Sequence, residues 1–276
     1  AFLKNLKEPK NTIRIGLVGK YNKLPDAYKS INESFVHAGA ANECKVEVEP
    51  IHAEALEVID NIGEALSHLD GVLVAPGFGE RGIEGKINAI RYLRENNLPF
   101  FGICLGLQCA VVEFARNVMG LEDAYSTEMK PDAAHPVIDL MHDQKNVKMK
   151  GGTMRLGAYA CEVKEGTQAY KAYQSTLIYE RHRHRYELNN EYLKDFELEG
   201  LIASGINPDT KLVEIMELAH HPFFLGTQYH PELKSTVETP HPLFVAFVRA
   251  CLEEKLKRQE NGQNSTVMSG KKLVTK

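Results

Sequence analysis

A cysteine lies within a glycine-flanked turn, Gly102-Ile103-Cys104-Leu105-Gly106, where an apolar run (Leu98 to Ile103) gives way to a helical pattern (Leu107 to Val118). A thiol at a strand-to-helix junction has the form of a nucleophile elbow, with sulfur in place of the serine oxygen. The glycines let the backbone turn sharply and leave room for a substrate beside the sulfur. The helix N-terminus contributes N–H groups and positive dipole potential, which favour a thiolate.

A nucleophilic thiol needs a base. Gln228-Tyr229-His230-Pro231-Glu232 follows a second apolar run, Phe223 to Thr227. A histidine can accept the thiol proton and return it to a leaving group. A carboxylate on the other ring nitrogen fixes the tautomer and steadies the imidazolium. Glu232 lies two residues beyond His230, on the same side of an extended backbone. Cys104, His230 and Glu232 thus form a candidate triad.

The segments around these residues alternate strand and helix. Strands are predicted at Ile13 to Val18, Lys45 to Pro50, Gly71 to Ala75 and Leu98 to Ile103, with helices at Pro25 to His37, Ala53 to Leu69 and Lys86 to Glu95. A glycine-rich loop runs from Gly77 to Gly85. Short buried strands between helices of 10–15 residues indicate a mainly parallel sheet covered on both faces, an α/β fold in one domain. The second half reads as strands at Gly157 to Val163, Tyr186 to Asn189, Leu201 to Ser204, Leu212 to Leu218 and Phe223 to Gln228, then a helix from His241 to Lys257. Sites in such sheets form at the carboxyl ends of strands. Gly77, Cys104 and His230 all fall just after predicted strands.

Composition narrows the function class. The 276 residues, 43% apolar, suffice for one α/β core. A formal charge of −4 gives no electrostatic reason to expect nucleic acid or an anionic membrane as partner. Five cysteines without a C-x-x-C pair argue against a disulfide framework or a thiolate metal site, and a free thiolate suits a reducing cytoplasm. No apolar run reaches the roughly 18 residues of a membrane span, and no signal-peptide h-region is present. Residues 1–11 read as a linker remnant, 12–257 as the domain, 258–276 as a disordered tail, and His142 to Lys150 as a charged loop tip. No internal repeat stands out.

The pairing of GICLG with YHPE resembles the class I (triad) glutamine amidotransferases, which release ammonia from glutamine by Cys-His-Glu chemistry. Further motifs resemble the glutaminase domains of the CTP synthase family. They are Gly16-Leu17-Val18-Gly19-Lys20-Tyr21 with Leu24-Pro25-Asp26-Ala27-Tyr28; Gly77-Phe78-Gly79 with Arg81-Gly82 and Glu84-Gly85; Ser126-Thr127-Glu128; Gly151-Gly152-Thr153-Met154-Arg155-Leu156-Gly157; and Glu180-Arg181-His182-Arg183-His184-Arg185-Tyr186. The resemblance covers roughly residues 12 to 255, with a flavodoxin-like architecture implied. A stand-alone γ-glutamyl thiol hydrolase of the same fold is the alternative, and the last two motifs count against it.

The resemblance assigns Arg185 to the α-carboxylate of glutamine and Glu128 to its α-ammonium. Gln108 and the backbone of Leu105, Gly106 and Leu107 complete the pocket. The oxyanion donors it implies are the N–H groups of Leu105 and Gly77. Many relatives carry Pro-Gly-Gly-Phe-Gly where this chain has Ala75-Pro76-Gly77-Phe78-Gly79. Proline has no N–H, so Pro76 cannot donate and Gly77 must. Arg81, Gly82 and Glu84 match a loop associated with GTP activation. The resemblance implies no cofactor in this domain. ATP and Mg2+ are expected only in a synthetase domain that aminates UTP, which this chain lacks, and the full enzyme is expected to be a homotetramer. The alternating Arg181-His182-Arg183-His184-Arg185 suggests a strand or extended loop with arginines on one side and histidines on the other. No role for Arg181 or Arg183 follows.

Overall fold

The computed structural model describes residues 2–20, 26–140 and 154–271, with the backbone alone for 262–271. Tyr21, Leu24, Pro25, the loop tip at His142 to Lys150, and Gly151 to Thr153 lie outside the described residues.

Among the described residues nine strands form one sheet in the order β2-β1-β3-β4-β12-β11-β10-β7-β8. Its first half is parallel: β2 (Cys44–His52), β1 (Asn11–Gly19), β3 (Gly71–Val74), β4 (Phe100–Ile103) and β12 (Phe224–Thr227). That order is the flavodoxin-like doubly wound one. The parallel arrangement stops there. β11 (Val213–Leu218), β10 (Leu201–Ile206), β7 (Arg155–Val163) and β8 (Leu177–His184) continue the sheet antiparallel.

Alternate side chains of the parallel strands enter two cores, as a pleated strand buried on both faces requires. Val72, Val74 and Phe100 pack with α4 (Ile83–Glu95) and α5 (Leu105–Asn117). Leu73, Phe101 and Ile103 pack with α2 (Lys29–Ala41) and α8 (Pro242–Lys271). Each fully buried aliphatic or aromatic side chain contributes about 1.5–3 kcal/mol.

A smaller sheet stands apart: β5 (Ala124–Ser126), β6 (His135–Leu140) and β9 (Tyr186–Leu188), with β5–β6 parallel and β6–β9 antiparallel. The sequence reading gave no strand at β5 or β6, which are short and carry no clear alternation. It also missed the short helices α6 (Gln168–Tyr173) and α7 (Leu193–Leu198).

Several predicted boundaries move. The helix expected over Ala53 to Leu69 is a 3-10 turn at Ala53–Glu57 and a short α3 at Ile62–Leu66. The Asn61 side chain accepts from the Gly63 N–H at 3.1 Å, a local bond that caps a new helix. The first helix starts at Lys29 and runs on to Ala41, and α4 starts at Ile83, just after Gly82 at φ 74°. A short helix, α1 (Phe2–Lys7), occupies the predicted linker, and α8 runs past Lys257 to Lys271.

Candidate active site

The elbow is built by the parallel pairing of β3, β4 and β12. Cys104 ends β4 and begins α5 with φ 53° and ψ −101°, a conformation rarely taken by a residue with a Cβ. Close backbone approach dictates its flanking glycines. A Cβ on Gly102 would come within 2.7 Å of the Gly106 carbonyl carbon, and one on Gly106 would fall on the Val74 carbonyl oxygen. The Cys104 N–H donates to Thr227 O at 2.7 Å, so the last bond of the β4–β12 ladder brings the His230 segment alongside.

His230 and Glu232 are both buried, with Nδ1 of His230 2.8 Å from Oε1 of Glu232. Among the described residues Nε2 has no hydrogen-bond partner. Burial opposes the imidazolium, but Cys104 and Glu232 outweigh it, and the His230 pKa is pushed up to about 10. The His230 backbone N–H is itself held by Arg181 O at 2.8 Å. Beneath it, Tyr229 meets Tyr173 Oη to Oη at 3.0 Å, and Tyr173 donates to Glu180.

Beside the thiol lies a cavity of about 200 Å³ lined by Gly77, Phe78, Cys104, Gln108, Glu128, Met154, Arg183, His184, Arg185 and Tyr186. Five predicted residues therefore share one cavity: Gly77, Cys104, Gln108, Glu128 and Arg185. Leu105, Gly106 and Leu107 sit behind it as the buried first turn of α5. Glu128 follows β5 and Arg185 precedes β9, so the small sheet sets one against the other. Burial raises the Glu128 pKa, opposed by the Gly79 N–H, Lys20 and Arg185. A half-desolvated carboxylate of this kind suits a cationic ligand.

Gln228 was not singled out from the sequence. Its Nε2 donates to Cys104 Sγ at 3.7 Å, and its Oε1 accepts from Gln108 Nε2 at 3.3 Å. Gln108 also donates to Tyr186 O at 2.9 Å, tying the elbow to the recognition side. The expected alternation along β8 is present. Arg181 and Arg183 are exposed, while His182 and His184 are buried with ring nitrogens 2.7 Å apart. Under the rim, Arg155 bridges Glu187 at 3.2 Å and Glu214 at 2.7 Å.

The four other cysteines are buried as well. Burial raises Cys44 and Cys109 to about 11 and lifts Cys161 and Cys251 higher still, which leaves them poor nucleophiles. The lid candidates lie against the body of the domain. Arg81 pairs with Glu54 at 3.3 Å, Glu84 with Arg116 at 2.9 Å, and a Cβ on Gly82 would press on Ala53 at 2.8 Å.

Comparison with known proteins decides the family. The model for "Glutamine amidotransferase class-I" matches residues 23–250. The chain belongs to the class I glutamine amidotransferases. The glutaminase domain of Trypanosoma brucei CTPS, solved with bound acivicin, is 37% identical with a TM-score of 0.82, over 87% of this chain and 94% of that one. The amidotransferase is thus of the CTP synthase glutaminase type. The CTP synthase of Cytophaga hutchinsonii is 65% identical over 90% of this chain and 46% of its own length, and that of Flavobacterium johnsoniae 62% over 91% and 47%. The chain spans about half the length of the curated relatives it matches.

Proposed function

We propose that this amidotransferase domain hydrolyses L-glutamine to glutamate and ammonia through a γ-glutamyl thioester on Cys104. The observation that carries the reading is the single cavity in which Cys104 faces both Glu128 and Arg185. Arg185 takes the substrate α-carboxylate and Glu128 its α-ammonium, charge-assisted bonds that separate free glutamine from simple amides. His230, oriented by Glu232, takes the Cys104 proton, and the sulfur attacks the carboxamide carbon. The N–H groups of Gly77 and Leu105 hold the oxyanion. His230, carrying the proton taken from Cys104, then protonates the departing nitrogen. Water then adds to the thioester, His230 accepts its proton, and glutamate leaves as the thiol is restored.

The ammonia is used by a synthetase half, in the cytoplasm, to aminate UTP to CTP, and the full enzyme is a homotetramer. Relatives at 62–65% identity are CTP synthases, which supports this. ATP and Mg2+ belong to that half, and none of the steps above runs through them. GTP acts as an activator through the loop of Arg81, Gly82 and Glu84, closing it over the site when the synthetase half is joined. Among the described residues no helix is long and apolar enough to cross a membrane.

Glutaminase assays of the chain and of Cys104→Ala, each with and without the synthetase half and GTP, test these assignments. Cys104→Ala should lose activity by on the order of 10⁴-fold or more, and a glutamine-like diazo ketone should label the parent chain once, at Cys104. The parent chain alone should be slow and indifferent to GTP, and gain markedly with the synthetase half. Retained activity in Cys104→Ala would overturn the nucleophile. Preference for γ-glutamyl peptides over glutamine would favour the stand-alone hydrolase.

A further inference from the structure

β3 ends at Val74, and the following Ala75 to Phe78 join no strand among the described residues, with Gly77 and Phe78 lining the cavity. A backbone strap with no strand partner needs other anchors if one of its N–H groups is to keep a fixed direction. We propose that two buried lysines, Lys86 and Lys20, are positioning residues that hold this strap so that the Gly77 N–H stays aimed at the oxyanion. The inference rests on the reading above, in which Gly77 is an oxyanion donor.

The near anchor is Lys86, in the first turns of α4. Its side chain is fully buried, and its ammonium donates to the Ala75 carbonyl at 2.7 Å. A buried ammonium is expensive, and an apolar residue would pack on a helix face without that cost. The Ala75 N–H is held from the other side by Val18 O at 2.9 Å. The peptide plane between Ala75 and Pro76 is therefore fixed. Proline locks the next torsion, φ, near −65°. Only ψ of Pro76 remains soft before the Gly77 N–H is reached.

The far anchor restricts that freedom. Lys20 Nζ donates to Phe78 O at 2.9 Å and also to Gly79 O. Its own N–H donates to Tyr28 Oη at 3.0 Å, so the lysine is itself held. Gly79, at φ 73°, donates its N–H to Glu128 Oε1 at 3.4 Å. With both ends of the strap tied, the range open to ψ of Pro76 narrows. A Cβ at Gly77 would meet only ordinary contacts, 3.5 Å to Leu105 and 4.0 Å to Lys20, so the strap works through its backbone.

Charge acts in the same direction. Burial pulls Lys86 down to about 8, with Cys109 and Cys104 opposing, so the ammonium form still dominates at neutral pH. A positive group beside the strap favours the negative charge that develops on the substrate oxygen only in the transition state.

The test compares Lys86→Met, Lys86→Gln and Lys20→Met with the parent chain. Steady-state glutaminase kinetics, thermal melting and the stoichiometry of diazo ketone labelling are measured for each. Loss of the anchor should lower kcat roughly 10- to 100-fold, less than loss of an oxyanion donor itself. KM should stay within about twofold in the Lys86 variants, which leave the groups assigned to the substrate untouched; Lys20→Met also removes a charge beside Glu128 and is judged on kcat. Labelling should remain near one per chain, which separates misdirected donors from unfolded protein. Lys86→Gln, with a donor but no charge, should fall between. Unchanged kcat in Lys86→Met, or a loss carried entirely by KM, would overturn the proposal. If Lys86→Met does not fold, Lys86→Gln decides on the same criteria and Lys20→Met on kcat. Cys104→Ala separates the two levels. An inactive Cys104→Ala beside a fully active Lys86→Met sinks only the strap, whereas an active Cys104→Ala sinks the parent reading.

Discussion

The two sides of the cavity are made by different physics. On the nucleophile side, four-residue parallel strands and close backbone approach force Cys104 into a strained conformation, with His230, Glu232 and Lys86 as the nearby charges. On the recognition side, short strands of a second sheet carry Glu128 and Arg185 to the rim, over a buried set of charges made by Arg155, Glu187 and Glu214. Backbone shape governs the chemistry, and placed charge governs the binding. Substitutions on the two sides should therefore fail in different ways.

The largest effect is expected on the nucleophile side. Gly106→Ala puts a methyl group onto the Val74 carbonyl. The overpacking costs about 1–3 kcal/mol or more, and relief requires α5 to move away from β3, taking Cys104 with it. Glutaminase activity should fall at least 100-fold, on the order expected when reacting groups are displaced by an ångström, with a lowered melting temperature. A fully active Gly106→Ala would mean that the elbow does not depend on close approach.

An intermediate effect is expected at the rim. Arg185→Ala and Glu128→Ala each remove a charged hydrogen bond to substrate, about 1.5–3 kcal/mol, and should raise KM for glutamine roughly 10- to 100-fold with a smaller change in kcat. The fold should stay intact. An unchanged KM in Arg185→Ala would move the carboxylate site toward Arg183, which also lines the cavity.

The smallest effect on catalysis, and the most diagnostic for the buried charges, concerns Glu187. Burial raises its pKa to about 8; Arg155 opposes this and Glu214 adds to it. One guanidinium cannot neutralise two buried carboxylates. The folded chain holds this proton where the unfolded chain, near 4.5, has lost it. The contribution to stability is therefore complete below about pH 4.5 and is lost as pH rises through about 8. Glu187→Gln, neutral throughout, should flatten the decline of melting temperature between these values while leaving kcat nearly unchanged. An equal slope in both proteins would show that Glu187 is ionised in the fold.

The nucleophile side was the more legible in the sequence. Glycines flanking a cysteine, between an apolar run and a helical period, specify a turn through local sterics alone, and Cys104 lies in that turn. Glu232 does meet His230, but through a 3-10 turn at Pro231–Leu233 in place of the extended backbone expected. β3 and β4 are continuous apolar runs, readable because both faces are buried, and β1 becomes one after Arg14; β2, at the sheet edge, alternates apolar with charged residues. The long helix predicted from Ala53 is broken between Glu57 and Ile62, where the Asn61 side chain caps a new start, a feature that periodicity does not register.

Tertiary structure decided the rest. The antiparallel half of the sheet, the pairing of β5 with β6, and the meeting of Glu128 with Arg185 join segments that are far apart in sequence and individually weak in pattern. Gln228 gains its place against Cys104 only through the β4–β12 register. The burial of Lys86 likewise depends on which face of α4 meets the strap beyond β3. Sequence determines local geometry, because sterics and periodicity act within a few residues. It does not by itself reveal which charges will share a desolvated space, because that energy exists only once the chain has closed around them.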